Sequence, residues 1–310
     1  SKYKGFYQVF LDRMITFNSF KNKGIIDFED DVILHKEGIS FMESDARIKL
    51  TPVDFKAFQQ KYILSSKFPL PDHAGGFFEL DYTIVAKDIE FYKVVKRNGS
   101  YFVNSNIGIF EISNFGQIVN YVPIHTYQFG FTSDGMFFES NPYGGIHIYN
   151  DISKQKVNTF SALPSDIVAT LNANGKTYLL SVFKGLFSYD GEQFFSYLKN
   201  NIWNEEKLKF ITKNDKGQLI IASEFGDVFV IQDSKKFKIV KRIPIQRIFG
   251  NSINFLECYG DAILIGTEKG ITIYSNNTFR FIDQEQGLKD CNFTTSEIQD
   301  NKLLLGTNKG

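Results

Sequence analysis

Few residues in this sequence have both the type and the spacing that metal binding or catalysis requires. Four histidines could serve either purpose, namely His35, His73, His125 and His147. They show no HxH or HExxH spacing, so they predict no metal site. Gly175-Lys176-Thr177 looks like the end of a phosphate-binding loop, but Thr170 stands where such a loop has its first glycine. A hairpin turn is the better interpretation of this segment.

The acidic and thiol side chains also lack the patterns of known sites. Four carboxylates are close in sequence, namely Asp27, Glu29, Asp30 and Asp31. Their spacing is not that of a DxDxDG calcium loop, and a solvated turn is the simpler interpretation. Cys258 and Cys291 have no CxxC partner, which favours two free thiols over a disulfide bridge. The sequence contains no GxSxG nucleophile motif, and it predicts neither a metal nor a cofactor.

The composition favours strands over helices and excludes some classes of partner. The 310 residues include 33 Phe and 15 Tyr but only nine Ala, and aromatic residues prefer strands whereas alanine prefers helices. The 35 basic residues balance the 35 acidic ones, so the general attraction to nucleic-acid phosphates is missing. No apolar run approaches the roughly 20 residues of a membrane helix.

A repeat of about 40 residues organises most of the chain, as it does in several repeat architectures. Each unit contains an apolar run followed by small or polar residues and a glycine. The runs are YFVNSNIG, MFFESNPYGG, YLLSVFKG, LIIASEFG, ILIGTEKG and LLLGTNKG, ending at Gly108, Gly145, Gly185, Gly226, Gly270 and Gly310. These runs predict the same buried strand in every unit.

Further landmarks divide each unit into four strands. A turn signal precedes each apolar run, for example at Asp134-Gly135 and Asn174-Gly175. An alternating stretch such as GITIY or GLFSY follows the run, and a second turn signal such as Asp190-Gly191 leads to a fourth, aromatic strand. Repeated units of four antiparallel strands predict an all-β fold, a β-propeller.

The same landmarks predict the number of blades. The bounding glycines are Gly5, Gly38, Gly108, Gly145, Gly185, Gly226, Gly270 and Gly310. They delimit seven intervals, so seven blades of four strands are expected, with eight as the alternative if 45–98 contains a full blade. Residues 45–76 are interpreted as an insertion, with one short helix expected in the stretch VDFKAFQQKY (53–62).

The two chain ends are expected to share a blade within a single propeller spanning 1–310. The sequence stops after the second strand of a unit, and 1–20 supply an anchor with two extended stretches. We therefore expect 6–20 to pair with 295–309, so that 1–20 and 290–310 complete the last blade, because folded proteins avoid unpaired strand edges. The alternative is a chain cut from a longer protein whose missing residues complete the blade.

The repeat resembles the two-component regulator propeller, a family of sensor regions in hybrid histidine kinases of Bacteroidetes. The similar stretches are QGLKDCNFTTSEIQDNKLLLGTNKG (286–310), ALPSDIVATLNANGKTYLLSVFKGLFSYDG (162–191) and AILIGTEKGITIY (262–274). Only two units keep the Gly-Thr pair, and none keeps the tryptophan usual before it. The resemblance covers the chain from about residue 99 onward.

This resemblance implies a non-catalytic sensor domain in the periplasm or elsewhere outside the cytoplasm. Such a domain relays the binding of a ligand, for example an oligosaccharide, or of a partner to a kinase module. Other domains or a second protomer of the sensor kinase are the implied partners. The alternatives are a propeller enzyme, either a lyase or a glycan-degrading protein, and a structural platform for protein interactions.

Aromatic residues in loops are the candidates for ligand or partner binding. Phe183, Phe225 and Tyr143 are predicted between second and third strands, and Trp203 and Phe293 between consecutive blades. These two kinds of loop share one face of a propeller, and loops on a rigid scaffold often carry function. The polar candidates beside the rings are Asn104, Asn141, Glu224 and Glu268. Rings mixed with polar groups suit a sugar, an extended polar ligand or a protein interface.

Overall fold

The computed structural model describes most of the chain as antiparallel sheet. The described residues are 6–10, 14–17, 24–30, 32–36, 38–43, 47–49, 64–71, 77–84, 89–122, 126, 128–140, 145–150, 156–160, 164, 166–197, 207–233, 238–288, 290–299 and 302–307. Among them, the one helical element is a short 3-10 helix, Ile245–Arg247. None of the described helices has the length and apolar character needed to cross a membrane.

Six four-stranded sheets are each built from four consecutive strands, and we call them blades I to VI. Blade I contains β3 (Ile25–Glu29), β4 (Val32–His35), β5 (Gly38–Glu43) and β6 (Arg47–Lys49). Blade II contains β9 (Phe91–Arg97), β10 (Ser100–Ser105), β11 (Gly108–Ser113) and β12 (Ile118–Val122). Blade III contains β13 (Phe129–Phe131), β14 (Phe137–Ser140), β15 (Ile146–Tyr149) and β16 (Lys156–Phe160).

The other three blades follow the same order along the chain. Blade IV contains β17 (Ile167–Ala173), β18 (Lys176–Ser181), β19 (Gly185–Tyr189) and β20 (Phe194–Ser196). Blade V contains β21 (Leu208–Lys213), β22 (Leu219–Ser223), β23 (Val228–Gln232) and β24 (Lys238–Ile243). Blade VI contains β25 (Ile253–Tyr259), β26 (Ala262–Thr267), β27 (Ile271–Ser275) and β28 (Thr278–Ile282).

Strands from the two ends of the chain form a further four-stranded sheet, which we call the end sheet. Its order is β2 (Met14–Phe17), β1 (Phe6–Phe10), β30 (Lys302–Thr307) and β29 (Phe293–Gln299). β1 runs antiparallel to β30, with Tyr7 opposite Leu305. Separately, β7 (Leu64–Pro71) and β8 (Phe77–Ile84) form a two-stranded antiparallel sheet and, among the described strands, pair with no other; they lie between blades I and II in the sequence.

The predicted blade count requires correction. The sequence predicts seven blades, with eight as the alternative, whereas the described strands build six blades from consecutive strands. Counting glycine-bounded intervals cannot distinguish such a blade from the end sheet, whose strands come from opposite ends of the chain. The eight-blade alternative is wrong, because the described residues between blades I and II form only the two-stranded hairpin.

The predicted insertion at 45–76 is also displaced from the observed one. Arg47–Lys49 is the fourth strand of blade I, and the hairpin occupies 64–84. The expected short helix at 53–62 lies outside the described residues.

Apolar side chains fill the spaces between neighbouring sheets. Leu34 of blade I packs with Tyr101 and Val103 of blade II, and Leu180 of blade IV packs with Ile221 of blade V. Equivalent clusters join blades II and III, III and IV, V and VI, and blade VI and the end sheet. Since a fully buried side chain of this size contributes about 1.5–3 kcal/mol, these clusters hold the sheets against each other.

Hydrogen bonds between first strands place the end sheet between blades VI and I. The hydroxyl of Ser296 donates to the carboxylate of Glu257 at 3.0 Å, and the hydroxyl of Thr294 donates to the carbonyl of Ile25 at 2.6 Å. First strands of neighbouring sheets therefore face each other, as the inner strands of a propeller do.

Candidate functional site

One end of the propeller carries the loops that can form a binding surface. In each blade, antiparallel order places the loop from second to third strand at the same end as the entry into the first strand. We call this the loop end. The turns at Asp134-Gly135, Asn174-Gly175 and Asp190-Gly191 are found as expected, with positive φ angles at the glycines, and they lie at the opposite end.

A β-bulge marks the entry into the first strand of nearly every sheet. The pairing shifts by one residue just after the first paired residue, so one residue is left unpaired. The unpaired residues are Ile26, Tyr92, Val168, Lys209, Asn254 and Thr294. Bulges redirect side chains. Here each bulged residue lies on the first, innermost strand of its sheet, at the point where the chain enters from the loop end.

Two of the predicted rings project from the loop end on neighbouring blades. Phe183 on blade IV is 68% exposed, and Phe225 on blade V is 65% exposed. The carboxylate of Asp166 accepts hydrogen bonds from the backbone N–H of Phe183, at 3.0 Å, and from the hydroxyl of Ser181, at 2.8 Å. The backbone beneath Phe183 is therefore fixed while its ring remains in solvent.

The predicted glutamates flank these loops but make different contacts. Glu224 lies beside Phe225 and forms an ion pair of 2.9 Å with Lys209. Glu268 on blade VI accepts hydrogen bonds from the backbone N–H groups of Asn251 and Ser252, at 2.9 and 3.0 Å. Desolvation acts to raise the pKa of Glu268, but these backbone donors hold it below the ordinary value. Glu268 thus stabilises the backbone at the entry into the first strand of its blade. The side chain of Glu224 is instead partly exposed to solvent.

The other predicted site residues do not belong to this exposed surface. Phe293 was expected in a loop, but it begins β29, is 6% exposed and packs edge-on against Phe255. It is a core residue, because its strand begins earlier than the sequence pattern indicates. Asn104 is fully buried in β10. Three candidates lie outside the described residues, namely Trp203, Tyr143 and Asn141.

A polar group that the sequence did not single out lies between blades II and III. The hydroxyl of Tyr149 donates to the carboxylate of Glu139 at 2.6 Å, and Nδ1 of His147 lies 3.4 Å from the same oxygen. Burial and Glu139 raise the pKa of Tyr149. Glu139 and His147 are opposite each other in the β14–β15 pairing. The detectable signal was this cross-strand spacing, which the dismissal of isolated histidines overlooked.

Charged groups also occupy the inner strands. Glu29, Glu257 and Glu297 stand at the same position of blade I, blade VI and the end sheet, four residues after the first paired residue. Burial is the main cause that raises the pKa of Glu29 and Glu257 to about 7 and that of Glu297 to about 8. Burial likewise lowers the pKa of Lys93 on β9. Of the acids that appeared to be a solvated turn, Asp27 and Glu29 are therefore partly buried and Asp30 is exposed, whereas Asp31 lies outside the described residues.

The cysteines and the lysine that the sequence brought forward can be placed in the structure. No group of three or more His, Cys, Asp or Glu side chains among the described residues could hold a metal ion. Cys258 and Cys291 are both free thiols. Lys176 belongs to the β17–β18 hairpin and lies 3.6 Å from Asp233, so the segment that looked like a phosphate-binding loop is a turn.

The fold is similar to solved β-propellers, although the sequence matches no protein-family model and no curated protein. The extracellular domain of the hybrid two component system BT3049 from B. thetaiotaomicron superposes with a TM-score of 0.56 at 14% identity, covering 89% of this chain and 42% of that one. The corresponding domain of BT4673 from the same organism gives 0.55 at 13% identity, covering 98% and 56%. This chain thus spans about half the length of these domains.

An enzyme shares the architecture as well. Virginiamycin B lyase from Staphylococcus aureus superposes with a TM-score of 0.59 at 11% identity, covering 97% of this chain and 98% of the lyase. At such low identities the similarities establish the fold alone. The chain is a β-propeller, similar in fold to extracellular domains of hybrid two component systems and to a lyase.

Proposed function

We propose that this chain is a non-catalytic recognition domain whose loop end binds a ligand or a partner protein. The observation that carries this proposal is the exposure of Phe183 and Phe225 on neighbouring blades. Neighbouring exposed apolar side chains with a polar surround are typical of interaction sites. Strand packing does not require these rings, since the clusters between blades are filled by other side chains.

The polar surroundings of the rings favour an oligosaccharide as the ligand. Lys184 and Lys207 are exposed beside the two loops, and the Lys209–Glu224 ion pair lies next to Phe225. Binding sites typically combine apolar contact area with a few polar groups that fix orientation. A sugar offers both a C–H face for the rings and hydroxyl groups for the charged side chains.

The proposed biological role is that of a sensor. Similarity in fold to extracellular domains of hybrid two component systems supports it, as does the repeat pattern. In this role the protein lies outside the cytoplasm, and binding is relayed to a kinase module through other domains or a second protomer. Because the blades are packed against each other, the signal passes as a change in the arrangement of domains or protomers. The ligand drives this change by binding more tightly to one arrangement than to the other.

A propeller enzyme is the second candidate. The buried Glu139–His147 pair and the similarity in fold to a lyase favour it. Against it, both side chains lie between two blades on the second and third strands, away from the inner edge of the loop end. A structural interaction platform is the third candidate, and the exposed rings would serve it equally.

Thermal-shift screening against oligosaccharides, followed by a turnover assay on every hit, separates these candidates. We expect at least one oligosaccharide to raise the melting temperature of the wild-type protein without being consumed, because a ligand stabilises the folded state that binds it. Product formation by the purified chain would favour the enzyme. Absence of any stabilising oligosaccharide would leave protein binding as the function of this surface.

A further inference from the structure

The boundary between blades II and III contains buried oxygen atoms that lack hydrogen-bond donors. We call this region the polar seam; its members are Asn104, Thr126, Gln128, Glu139, His147 and Tyr149. Oδ1 of Asn104, Oε1 of Gln128 and Oε2 of Glu139 are buried without a hydrogen-bond partner. Asn104 is fully buried and Glu139 is only 9% exposed, so neither oxygen can turn to bulk water.

Three donor groups of the polar seam form hydrogen bonds to other acceptors. The amide nitrogen of Asn104 donates to the carbonyl of Thr126 at 3.1 Å, which determines the orientation of the amide and leaves its oxygen without a donor. The hydroxyl of Thr126 donates to the carbonyl of Gln128 at 2.7 Å, and the hydroxyl of Tyr149 donates to Oε1 of Glu139. In the described contacts, neither Oδ1 of Asn104 nor Oε2 of Glu139 therefore receives a hydrogen bond.

Buried oxygens without a hydrogen bond are unfavourable unless something supplies the missing donors. A buried acceptor without a partner costs about 1–3 kcal/mol, and more when it is charged. Most such groups in native proteins are paired with protein or water, so the unpartnered oxygens of Asn104 and Glu139 require an explanation. The carboxylate of Glu139 adds a negative charge, which favours a donor that is also a cation.

Aromatic rings line the side of the seam away from the loop end. Phe102 and Phe137 both contact Phe131, with ring centroids 4.9 and 5.8 Å apart. Asn104 and Glu139 follow Phe102 and Phe137 by two residues on the same strand faces, so they stand one step closer to the loop end. Aromatic faces attract ammonium groups but give no ligands to a hard metal ion.

We infer that the polar seam is a binding site for a small ligand bearing a protonated primary amine. The ammonium group donates to Oε2 of Glu139 and to Oδ1 of Asn104, above the aromatic side of the seam. This site lies on blades II and III, whereas Phe183 and Phe225 lie on blades IV and V. It is therefore additional to the proposed recognition surface and does not depend on it.

Isothermal titration calorimetry with simple amines tests the inference. The probes are methylammonium, ethanolamine and glucosamine, with N-acetylglucosamine as the uncharged control for the last. We expect at least one amine to bind the wild-type protein and N-acetylglucosamine not to bind. Binding of no amine, or equal binding of glucosamine and its acetylated form, would overturn the inference, and so would binding of calcium chloride in place of the amines.

Two variants are expected to change amine affinity in opposite directions. A variant that only damages the fold could weaken binding but would not strengthen it. Glu139→Gln keeps the shape of the side chain, and we expect it to weaken amine binding by about tenfold or more through loss of the charge. Asn104→Asp adds a second charge, and we expect it to strengthen amine binding. Glu192→Gln, on an exposed turn at the opposite end of blade IV, is the matched control. Unchanged affinity in both seam variants would contradict the inference.

Discussion

Glu257 on blade VI accepts a hydrogen bond of 3.0 Å from the hydroxyl of Ser296 on the end sheet. The pattern continues around the inner strands. Glu297 of the end sheet accepts a hydrogen bond of 2.8 Å from the backbone N–H of Asp30, and Glu29 has a backbone hydrogen bond with Lys96 of blade II. Three equivalent glutamates thus each join their own sheet to the next one.

These glutamates predict that folding stability decreases as the pH rises. Burial raises the pKa of Glu257 from 4.5 to about 7 and that of Glu297 from 4.5 to about 8, so the folded protein binds more protons than the unfolded chain over this interval. Their contribution is complete below the unfolded pKa and is lost as the pH rises through the folded pKa. We expect a lower melting temperature at about pH 8.5 than at about pH 5.

Substitution of Glu257 alone tests the contribution of one of the three glutamates to the pH dependence. Asp27, Asp30, Lys93 and Lys96 also carry charge near Glu29 or Glu297, and Lys93, with its lowered pKa, acts in the opposite sense. Burial alone raises the pKa of Glu257, so Glu257→Gln should flatten the pH dependence and raise the melting temperature above pH 8. An unchanged pH profile in Glu257→Gln would show that Glu257 is ionised in the folded state.

Gly266 is required by the packing of blade VI. It lies opposite Phe255 in the β25–β26 pairing, and a Cβ atom at this position would overlap the phenylalanine ring. We expect Gly266→Ala to destabilise the protein by about 1–3 kcal/mol, the usual range for overpacking. In denaturant unfolding, adding Phe255→Leu should recover part of this loss. Equal losses in the single and double variants would place the cause elsewhere.

Truncation of the exposed rings should affect stability much less than truncation of a core residue. Ile265 on β26 is fully buried, and Ile265→Ala should cost about 2–5 kcal/mol. Phe225→Ala should change stability by no more than about 0.5 kcal/mol, because its ring lies in solvent. Chemical denaturation measures both. Comparable losses would mean that Phe225 belongs to the core.

Most strands could be predicted because the repeat is a physical requirement of each blade. Gly185, for example, follows the second strand with a φ angle of 83°, a conformation that favours glycine. The buried strand before it must be apolar on both faces, since blades pack on both sides. Positive φ angles recur at Gly38, Gly108, Gly145 and Gly270, so the pattern appears in the sequence. The β7–β8 hairpin has no counterpart in the other units, so the periodicity does not encode it.

The candidate site was harder to predict than the fold. Loop position identified Phe183 and Phe225 as exposed, because the glycine anchor defines the end of the strand before them. Phe293 was misplaced, since a strand that begins with a bulge does not alternate at its first residues. The polar seam was missed because Asn104 and Glu139 are distant in sequence and meet only when blades II and III pack.

In the proposed function, the loop end recognises a ligand through Phe183 and Phe225. The most direct measurement is the affinity of the double variant Phe183→Ala/Phe225→Ala for an oligosaccharide that stabilises the wild-type protein. Phe115→Ala is the matched control, because Phe115 is 80% exposed in a turn at the opposite end. We predict at least about a tenfold loss in the double variant, as for removal of binding hot spots, and none in the control. Equal affinity in all three proteins would contradict the account.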